Sequence, residues 1–157
     1  MKMQILMAAL AMAGLWAPAS AQRAPTAAAS VAVPRGVAAV VDSFHAALGR
    51  GDAVAAAALL DPNVLIYESG RAERSKAEYA AHHLPADAIF AKAIRRSVTR
   101  RSGRADGSSA WVTTEATSKG KYKDKVIDSV GVETMVLKLV NQTWRIVHIH
   151  WSSANAK

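Results

Sequence analysis

The first half of the chain alternates apolar stripes of helical spacing with turn signals. One stripe repeats at i, i+3, i+4, i+7 and i+11 and predicts an amphipathic helix. Its members are Val37, Val40, Val41, Phe44 and Leu48. Gly49 and Gly51 end this helix, and Asp52 is placed to cap a second short helix that runs to Leu60. The run Asp61-Pro62-Asn63 then stops it.

A short strand and further helical turns follow. Residues 64–68 predict a strand that a Ser-Gly turn closes. Ser75 and Glu78 have the spacing of a capping box, which predicts that a third helix starts at Ser75. The Leu-Pro pair at 84–85 ends that helix, and residues 87–93 predict one or two more helical turns.

The second half of the chain has the two-residue alternation of strands. The predicted strands cover residues 94–101, 110–117, 125–140 and 144–151. Turns are predicted at 103–108, 119–121 and 141–143, and Gly131 is read as a bulge in the third strand. Helices first and a strand meander last predict an α+β fold, in which helices pack on one face of a curved antiparallel sheet.

The amino terminus has the pattern of a signal peptide. Lys2 precedes an apolar stretch at residues 5–16, and Ala19-Ser20-Ala21 matches a small-x-small cleavage site. Pro18 ends the apolar run before it reaches membrane-spanning length, so no membrane span is predicted after cleavage. We therefore expect cleavage after Ala21 and a periplasmic or secreted protein.

The remaining chain divides into a leader, one domain and a tail. Residues 22–35 are rich in Ala, Pro and Ser and are predicted to be a flexible leader. Residues 36–153 form the predicted domain, and 154–157 a tail. The length of 157 residues suits one domain, and the 51% of hydrophobic residues is enough for a core.

Composition adds two constraints. The chain has no cysteine, so no disulfide stabilises it. Its formal charge is +8, and many basic residues cluster on the predicted strands and turns. They are Arg95, Arg96, Arg100, Arg101, Arg104, Lys119, Lys121, Lys123 and Lys125. Such clusters suit an anionic partner or form a solvated face; no nucleic-acid motif is present, and no nucleic-acid partner is expected.

Two stretches resemble a known family. FHAALGRGDAVAAAALLDPNVLIYESG combines an amphipathic helix, a Gly-Asp turn, a second helix and the first strand. ETMVLKLVNQTWRIVHIHWSS combines a long strand, a polar turn and a strand with alternating histidines. The chain resembles the SnoaL-like branch of the nuclear transport factor 2-like superfamily over residues 36–153. Its closing run is also similar to the association domain of calcium/calmodulin-dependent kinases.

The resemblance implies a cone-shaped sheet wrapped around the helices, with a pocket open at one end. It also implies a homodimer that forms through the outer sheet face. It does not imply one activity, because this fold hosts isomerases, dehydratases, cyclases, hydrolases and binding domains. The acid, tyrosine and histidine motifs of the family's enzymes do not transfer to this chain residue by residue. The aspartates here are interpreted as caps, turns or surface groups: Asp42, Asp52, Asp61, Asp87, Asp106, Asp124 and Asp128.

The paired histidines of the last strand allow two interpretations. Strand geometry places His148 and His150 on one face, about 7 Å apart. They are metal ligands, with a third ligand from His82, His83 or Glu68, or they belong to a pocket wall or dimer interface. The ending shared with kinase association domains favours the second interpretation, so no metal and no cofactor is predicted.

The carboxylates also allow two interpretations. Glu68 or Glu133, placed in an apolar pocket, would have a raised pKa and serve as a general acid or base. Alternatively they face solvent or pair with Arg and Lys, as is expected for Glu115. Tyr67, Glu68 and His82 together would suit proton transfer or the binding of a polar ligand at the pocket mouth.

These observations lead to one functional hypothesis with alternatives. The protein is expected to be an exported SnoaL-like domain that binds a small, partly apolar molecule. The predicted lining residues are Tyr67, Glu68, Tyr79, His82, Trp111, Glu133, His148, His150 and Trp151. A lyase or isomerase that uses Glu68, His82 or Glu133 as its acid or base, a periplasmic metal-binding protein, and a scaffold with a vestigial pocket are the alternatives.

Overall fold

The structure, a computed structural model, describes residues 32–157. The predicted signal peptide, its cleavage site and residues 22–31 of the predicted leader therefore lie outside the described residues. The last part of that leader belongs to the fold, because Val33 packs against the hydrophobic core and the first helix begins at Arg35. Within residues 32–157, no helix combines the length and apolar character that crossing a membrane requires.

Four helices are present in the described part of the chain. They are α1 (Arg35–Arg50), α2 (Ala53–Ala58), α3 (Lys76–His82) and α4 (Leu84–Ala93). The predicted caps are confirmed: Asp52 Oδ1 accepts a hydrogen bond from the Ala55 N–H at 2.9 Å, and Ser75 Oγ accepts one from the Glu78 N–H at 3.0 Å. The Leu-Pro pair starts α4 as well as ending α3, because proline is well tolerated in the first turn of a helix.

Six strands form one sheet with the order β2-β1-β6-β5-β4-β3. They are β1 (Leu60–Glu68), β2 (Arg71–Glu73), β3 (Ile94–Asp106), β4 (Ser109–Tyr122), β5 (Lys125–Val140) and β6 (Thr143–Asn155). The predicted antiparallel arrangement holds for every pair except β1 and β6, which are parallel. No hairpin joins these two strands, so no tight turn imposes their direction. The predicted tail also contributes, since β6 extends to Asn155.

The predicted bulge at Gly131 and the predicted turn at 119–121 are wrong, and the turn predicted at 103–108 is confirmed only at its end, where Gly107 and Ser108 join β3 to β4. Gly103 lies inside β3 and Gly120 inside β4, where each faces a close neighbour and leaves no space for a side chain. The hairpin between β4 and β5 turns at Lys123 and Asp124, whose φ angles of 46° and 61° are left-handed. Gly131 is paired in an unbroken register with β4, so β5 has no bulge there.

One bulge of the sheet lies in β6. Leu137 of β5 pairs with Ile146 and Val136 pairs with His148, so Val147 is the extra residue. The extra residue reverses the alternation, and Ile146 and Ile149 both point into the core. Ile146 therefore faces the core, while His148 and His150 lie on the other face of the sheet.

The hydrophobic core lies between the inner face of the sheet and the helices. Val37, Val41 and Phe44 of α1 are fully buried against Met135, Leu137 and the two isoleucines of β6. The α+β architecture with an open curved sheet is as predicted.

Candidate functional site

A cavity of about 470 Å³ opens beyond one end of the core, between helices α1 and α4 and the inner face of strands β3 to β6. Its volume is within the range of small-molecule sites, about 300–1,000 Å³. The lining residues are His45, Ala46, Leu48, Gly49, Glu68, Asp87, Phe90, Ala91, Ile94, Arg96, Thr114, Ala116, Ser118, Ser129, Gly131, Val132, Glu133, Trp151, Ser152 and Ser153.

The cavity exists because inward-facing side chains become smaller along the strands. On β4 the inner face runs from Val112 in the core to Thr114, Ala116 and Ser118 at the cavity. On β5 it runs from Met135 through Glu133 to Gly131 and Ser129. Small side chains opposite α4 leave a space that the helix does not fill.

Four polar or charged side chains meet at the inner end of the cavity, and we call them the Glu133 cluster. Glu133 Oε2 accepts a hydrogen bond from Trp151 Nε1 at 2.7 Å and lies 2.8 Å from His45 Nε2. Arg96 Nη2 lies 3.7 Å from Glu133 Oε1. Trp151 also stacks on Phe44 of α1, with ring centroids 6.3 Å apart. The cluster thus joins α1, β3, β5 and β6.

The cluster keeps Glu133 ionised. Burial alone would raise the pKa of Glu133, but the hydrogen bond and charge of His45, the Trp151 N–H and the Arg96 guanidinium together lower it. Burial lowers the pKa of Arg96, although Glu133 opposes this shift. Of the two interpretations of Glu133, the structure fits pairing with a basic residue, because Arg96, His45 and Trp151 stabilise its charge.

Apart from His45 Nε2, which lies beside the Glu133 carboxylate, two buried polar atoms of the cavity wall have no hydrogen-bond partner in the described structure. They are Glu133 Oε1 and Thr114 Oγ1, which belong to residues paired across β4 and β5. Both residues are almost fully buried, at 4% and 2% exposure. Buried polar atoms in native proteins are nearly always satisfied, so a water molecule or a polar group of a ligand in the cavity would complete the hydrogen bonding of this pair.

A second pair of carboxylates, Glu68 from the end of β1 and Asp87 from α4, lines the same cavity. Burial and the charge of Asp87 raise the pKa of Glu68, and the charge of His83 opposes this shift. Burial also raises the pKa of Asp87, although the Tyr79 hydroxyl donates a hydrogen bond to its Oδ2 at 2.6 Å. We call Glu68 and Asp87 the carboxylate pair.

A smaller cavity of about 200 Å³ lies behind Glu68. Tyr79 and His83 line it, together with Glu73, whose carboxylate contacts the Nδ1 atoms of both His83 and His82. Burial, followed by the charge of Asp87, raises the pKa of the Tyr79 hydroxyl, so it acts as a hydrogen-bond donor. His82 itself is 60% exposed and lines neither cavity.

The structure brings together only part of the predicted site. Glu68, Glu133 and Trp151 line the main cavity, and Tyr79 lines the smaller one. Alternation along β1 turns Tyr67 to the outer face, away from the cavity that Glu68 lines. Trp111 is 41% exposed and lies on the outer face with His148 and His150, so these three residues line neither cavity.

The paired histidines do not form a metal site with the predicted third ligands. His148 Nδ1 lies 2.8 Å from the Leu65 carbonyl oxygen, and both imidazoles contact the Tyr67 ring edge-on. In residues 32–157, the side chains whose ligand atoms all approach within 4.8 Å are those of Glu73, Glu78 and His82. Glu78 Oε2 in that group already accepts the Arg74 N–H at 2.6 Å, as part of the α3 cap.

Four residues of the site were missed or misread in the sequence: His45, Asp87, Arg96 and Thr114. His45 follows Val41 by four residues, so it borders the apolar stripe of α1. Arg96 lies two residues after the buried Ile94 on β3, and Thr114 lies two residues after the buried Val112 on β4. Each therefore faces the same side of the sheet as its buried neighbour. Asp87 was read as a cap or surface group, and only the fold places it beside Tyr79.

Comparisons with known proteins agree with this architecture. Residues 37–156 match the SnoaL-like domain. A presumed ketosteroid isomerase from Shewanella frigidimarina is 38% identical, with 79% of this chain and 100% of that chain covered and a TM-score of 0.75. A comparison with curated proteins found no match.

Two more distant structures share the fold. A presumed calcium/calmodulin-dependent protein kinase II association domain from Xanthomonas campestris is 24% identical, with a TM-score of 0.64 and coverage of 80% and 94% of the two chains. A nuclear transport factor 2-like protein from Novosphingobium aromaticivorans is 13% identical, with a TM-score of 0.63 and coverage of 78% and 82%. Because the family match spans most of its length, this chain belongs to the SnoaL-like domain family, within the nuclear transport factor 2-like fold.

Proposed function

We propose that the protein binds a small, partly apolar molecule in the main cavity. The observation that carries this proposal is the pair of unsatisfied buried atoms, Glu133 Oε1 and Thr114 Oγ1, on the wall of a 470 Å³ space. Leu48, Phe90 and Ile94 provide apolar contact for the body of the ligand. A hydroxyl or amine of the ligand would donate to Glu133, since an ionised carboxylate only accepts hydrogen bonds.

A thermal-shift screen of small cyclic and aromatic compounds tests this proposal. A ligand that binds only the folded state raises the midpoint of unfolding. Thr114→Val removes the hydroxyl at nearly constant shape and should reduce the shift of compounds that carry a donor. Thr113→Val, on the opposite face of β4, is the matched control and should leave the shifts unchanged. A screen without any stabilising compound would contradict the proposal.

Isomerase-type proton transfer is a second candidate function. The carboxylate pair favours it, because a carboxyl group with a raised pKa is suited to exchange protons near neutral pH. The 38% identical protein described as a presumed ketosteroid isomerase supports it too. Turnover of a β,γ-unsaturated ketone that Glu68→Gln abolishes, while Glu115→Gln leaves it intact, would establish this activity. Binding without turnover would leave the protein a binding domain.

The outer sheet face supports a homodimer as a further part of the proposal. Trp111 pairs with Val136, and Val136 pairs with His148, so one row crosses three strands and reaches the Tyr67 ring. Trp111 and Tyr67 are each 41% exposed. An exposed row of large side chains is typical of a surface that contacts another protein.

Export is proposed from the signal-peptide pattern alone. Fractionation of cells that express the full chain, followed by mass measurement of the exported protein, would test it. A mature chain that begins at Gln22 is expected; an intact chain that remains in the cytoplasm would contradict this part of the proposal.

A further inference from the structure

The main cavity has more acidic than basic side chains, and its basic side chains are all paired with one of the acids. Three carboxylates line it, from Glu68, Asp87 and Glu133, against one guanidinium, from Arg96, and one imidazole, from His45. The guanidinium and the imidazole both lie beside Glu133. The positive groups of the cavity are therefore already engaged by one of its three acids.

The carboxylate pair has no such partner. In residues 32–157, no Lys, Arg or His forms an ion pair with Glu68 or Asp87. His83 is the basic group whose charge acts on both of them, and its Nδ1 contacts Glu73. The Tyr79 hydroxyl engages Oδ2 of Asp87, while no hydrogen bond to Oδ1 is present in the described residues.

The unused hydrogen-bonding capacity of the cavity is therefore mostly acceptor capacity. Glu133 Oε1 accepts no hydrogen bond, since Arg96 Nη2 is 3.7 Å away, and the carboxylate pair offers further acceptor oxygens. A ligand that brings a positive charge and several N–H donors complements this arrangement. A carboxylate ligand would add a fourth acid to a half-enclosed space.

We propose that the ligand is a cationic amine, whose ammonium group lies between Glu68 and Asp87 and whose apolar body lies against Phe90 and Trp151. This inference rests on the proposed ligand binding in the same cavity and specifies the class of ligand. An ammonium group has three donors, which suits two carboxylates on different elements. The aromatic ring of Trp151 adds a face to which a cation is attracted.

Matched compounds separate this inference from the broader proposal. Three apolar bodies, phenylpropyl, indolylethyl and cyclohexylpropyl, are each tested with an ammonium, a hydroxyl and a carboxylate head group. Dissociation constants are measured by calorimetry at pH 7 with the full-length protein. The ammonium member of each series should bind at least about tenfold more tightly than its alcohol, and the carboxylate should bind most weakly.

Variants of the pair test where the charge is recognised. Glu68→Gln and Asp87→Asn should each remove most of the preference for ammonium over hydroxyl, whereas Glu115→Gln on the outer face of β4 should retain it. Equal binding of the three head groups, or a preference for the carboxylate, would overturn the inference while ligand binding stood. Failure of all nine compounds to bind would contradict both the proposed ligand binding and the preference for a cationic amine. Tight binding of an alcohol that depends on Thr114 would support ligand binding and contradict the preference for an amine.

Discussion

At the scale of single residues, the cavity holds carboxyl groups in two opposite electrostatic states. Glu133 is the most deeply buried of the three, yet its pKa is lowered because His45, Trp151 and Arg96 surround it. Glu68 and Asp87 are less buried, and their pKa values are raised since fewer groups compensate for lost hydration. The partners of each carboxylate therefore decide its charge more than its depth does.

Replacement of Glu133 should lower the stability of the protein in a way that depends on pH. Glu133→Gln removes a buried charge that His45 and Arg96 stabilise, and we expect a loss of about 1–3 kcal/mol in the free energy of unfolding at pH 7. The folded pKa of Glu133 lies below its unfolded value, so its contribution is present above that unfolded value, near 4.5, and is lost as the pH falls through the folded pKa.

Urea unfolding of the wild-type protein and Glu133→Gln between pH 3 and pH 7 measures this loss. The two stabilities should converge toward the acidic end. The exposed Glu115→Gln should stay within about 0.5 kcal/mol of the wild type throughout. A difference that grew as the pH fell would contradict the role given to the Glu133 cluster.

Asp87 should behave in the opposite way. Its folded pKa is raised above the ordinary value of 3.8, so its contribution is fully present below that value and is lost as the pH rises through the folded pKa. Asp87→Asn keeps an acceptor for the Tyr79 hydroxyl but cannot ionise. Its stability relative to the wild type should therefore increase with pH in thermal unfolding from pH 3.5 to pH 7. A constant or falling difference would show that Asp87 is not desolvated as described.

Residues of the site could be predicted from the sequence only where their position on a single strand was enough to place them in the cavity. Alternation and an apolar neighbourhood were enough to suggest Glu133 and Glu68, which do line the cavity. Arg96 was hidden within a run of basic residues, although it alone of Arg95 and Arg96 faces inward. His45 and Asp87 meet the strands only through tertiary packing, which no local pattern encodes.

At the scale of elements, local signals located the helices better than the turns. The capping residues Asp52 and Ser75 fixed two helix starts, because a cap is a contact between residues three apart. The glycines were poor signals for turns, since Gly103 and Gly120 are required by close packing of neighbouring residues. The bulge at Val147 has no glycine, and nothing local in the sequence marks it.

Substitution of Gly103 should distinguish close packing from turn formation. A Cβ atom there would lie 2.7 Å from the Trp111 carbonyl oxygen and 3.0 Å from Val33 Cγ2. We expect Gly103→Ala to destabilise the protein by about 1–3 kcal/mol. Gly49→Ala in α1, where no atom lies within 4 Å, should instead stabilise it by about 0.5–1 kcal/mol. Chemical denaturation measures the free energy of unfolding of both variants. An unchanged stability of Gly103→Ala would contradict the close packing of β3 against β4.

At the scale of the whole molecule, the resemblance established the architecture and left the contents of the cavity open. The order of elements is shared with relatives only 13% identical, because many sequences satisfy the same layer packing. The cavity instead depends on a few small inward residues, such as Ser118 and Ser129, which the order of elements does not specify. The fold was therefore predictable, whereas the shape and the charges of the cavity required the coordinates.

The proposed dimer is testable at the same scale. Trp111→Lys places a charge in the middle of the outer row and should shift the protein from dimer to monomer in sedimentation equilibrium at micromolar concentration. Val126 is the control position, because it lies at the start of β5, far from Val136 of the outer row, and is 81% exposed. Val126→Lys should leave the assembly unchanged. A wild-type monomer, or a Trp111→Lys protein that remains dimeric, would contradict an interface at this face.

Gly131 offers the most direct way to test whether the main cavity holds the ligand. Gly131 faces inward on β5 beside Glu133, and a Cβ atom there would meet only ordinary contacts, with Ser152 O nearest at 3.5 Å. Gly131→Phe should therefore fill the cavity without disturbing the sheet. Calorimetric titration with the tightest of the nine matched compounds should show one site per wild-type chain and at least about tenfold weaker binding to folded Gly131→Phe. Unchanged affinity in that variant would contradict the account.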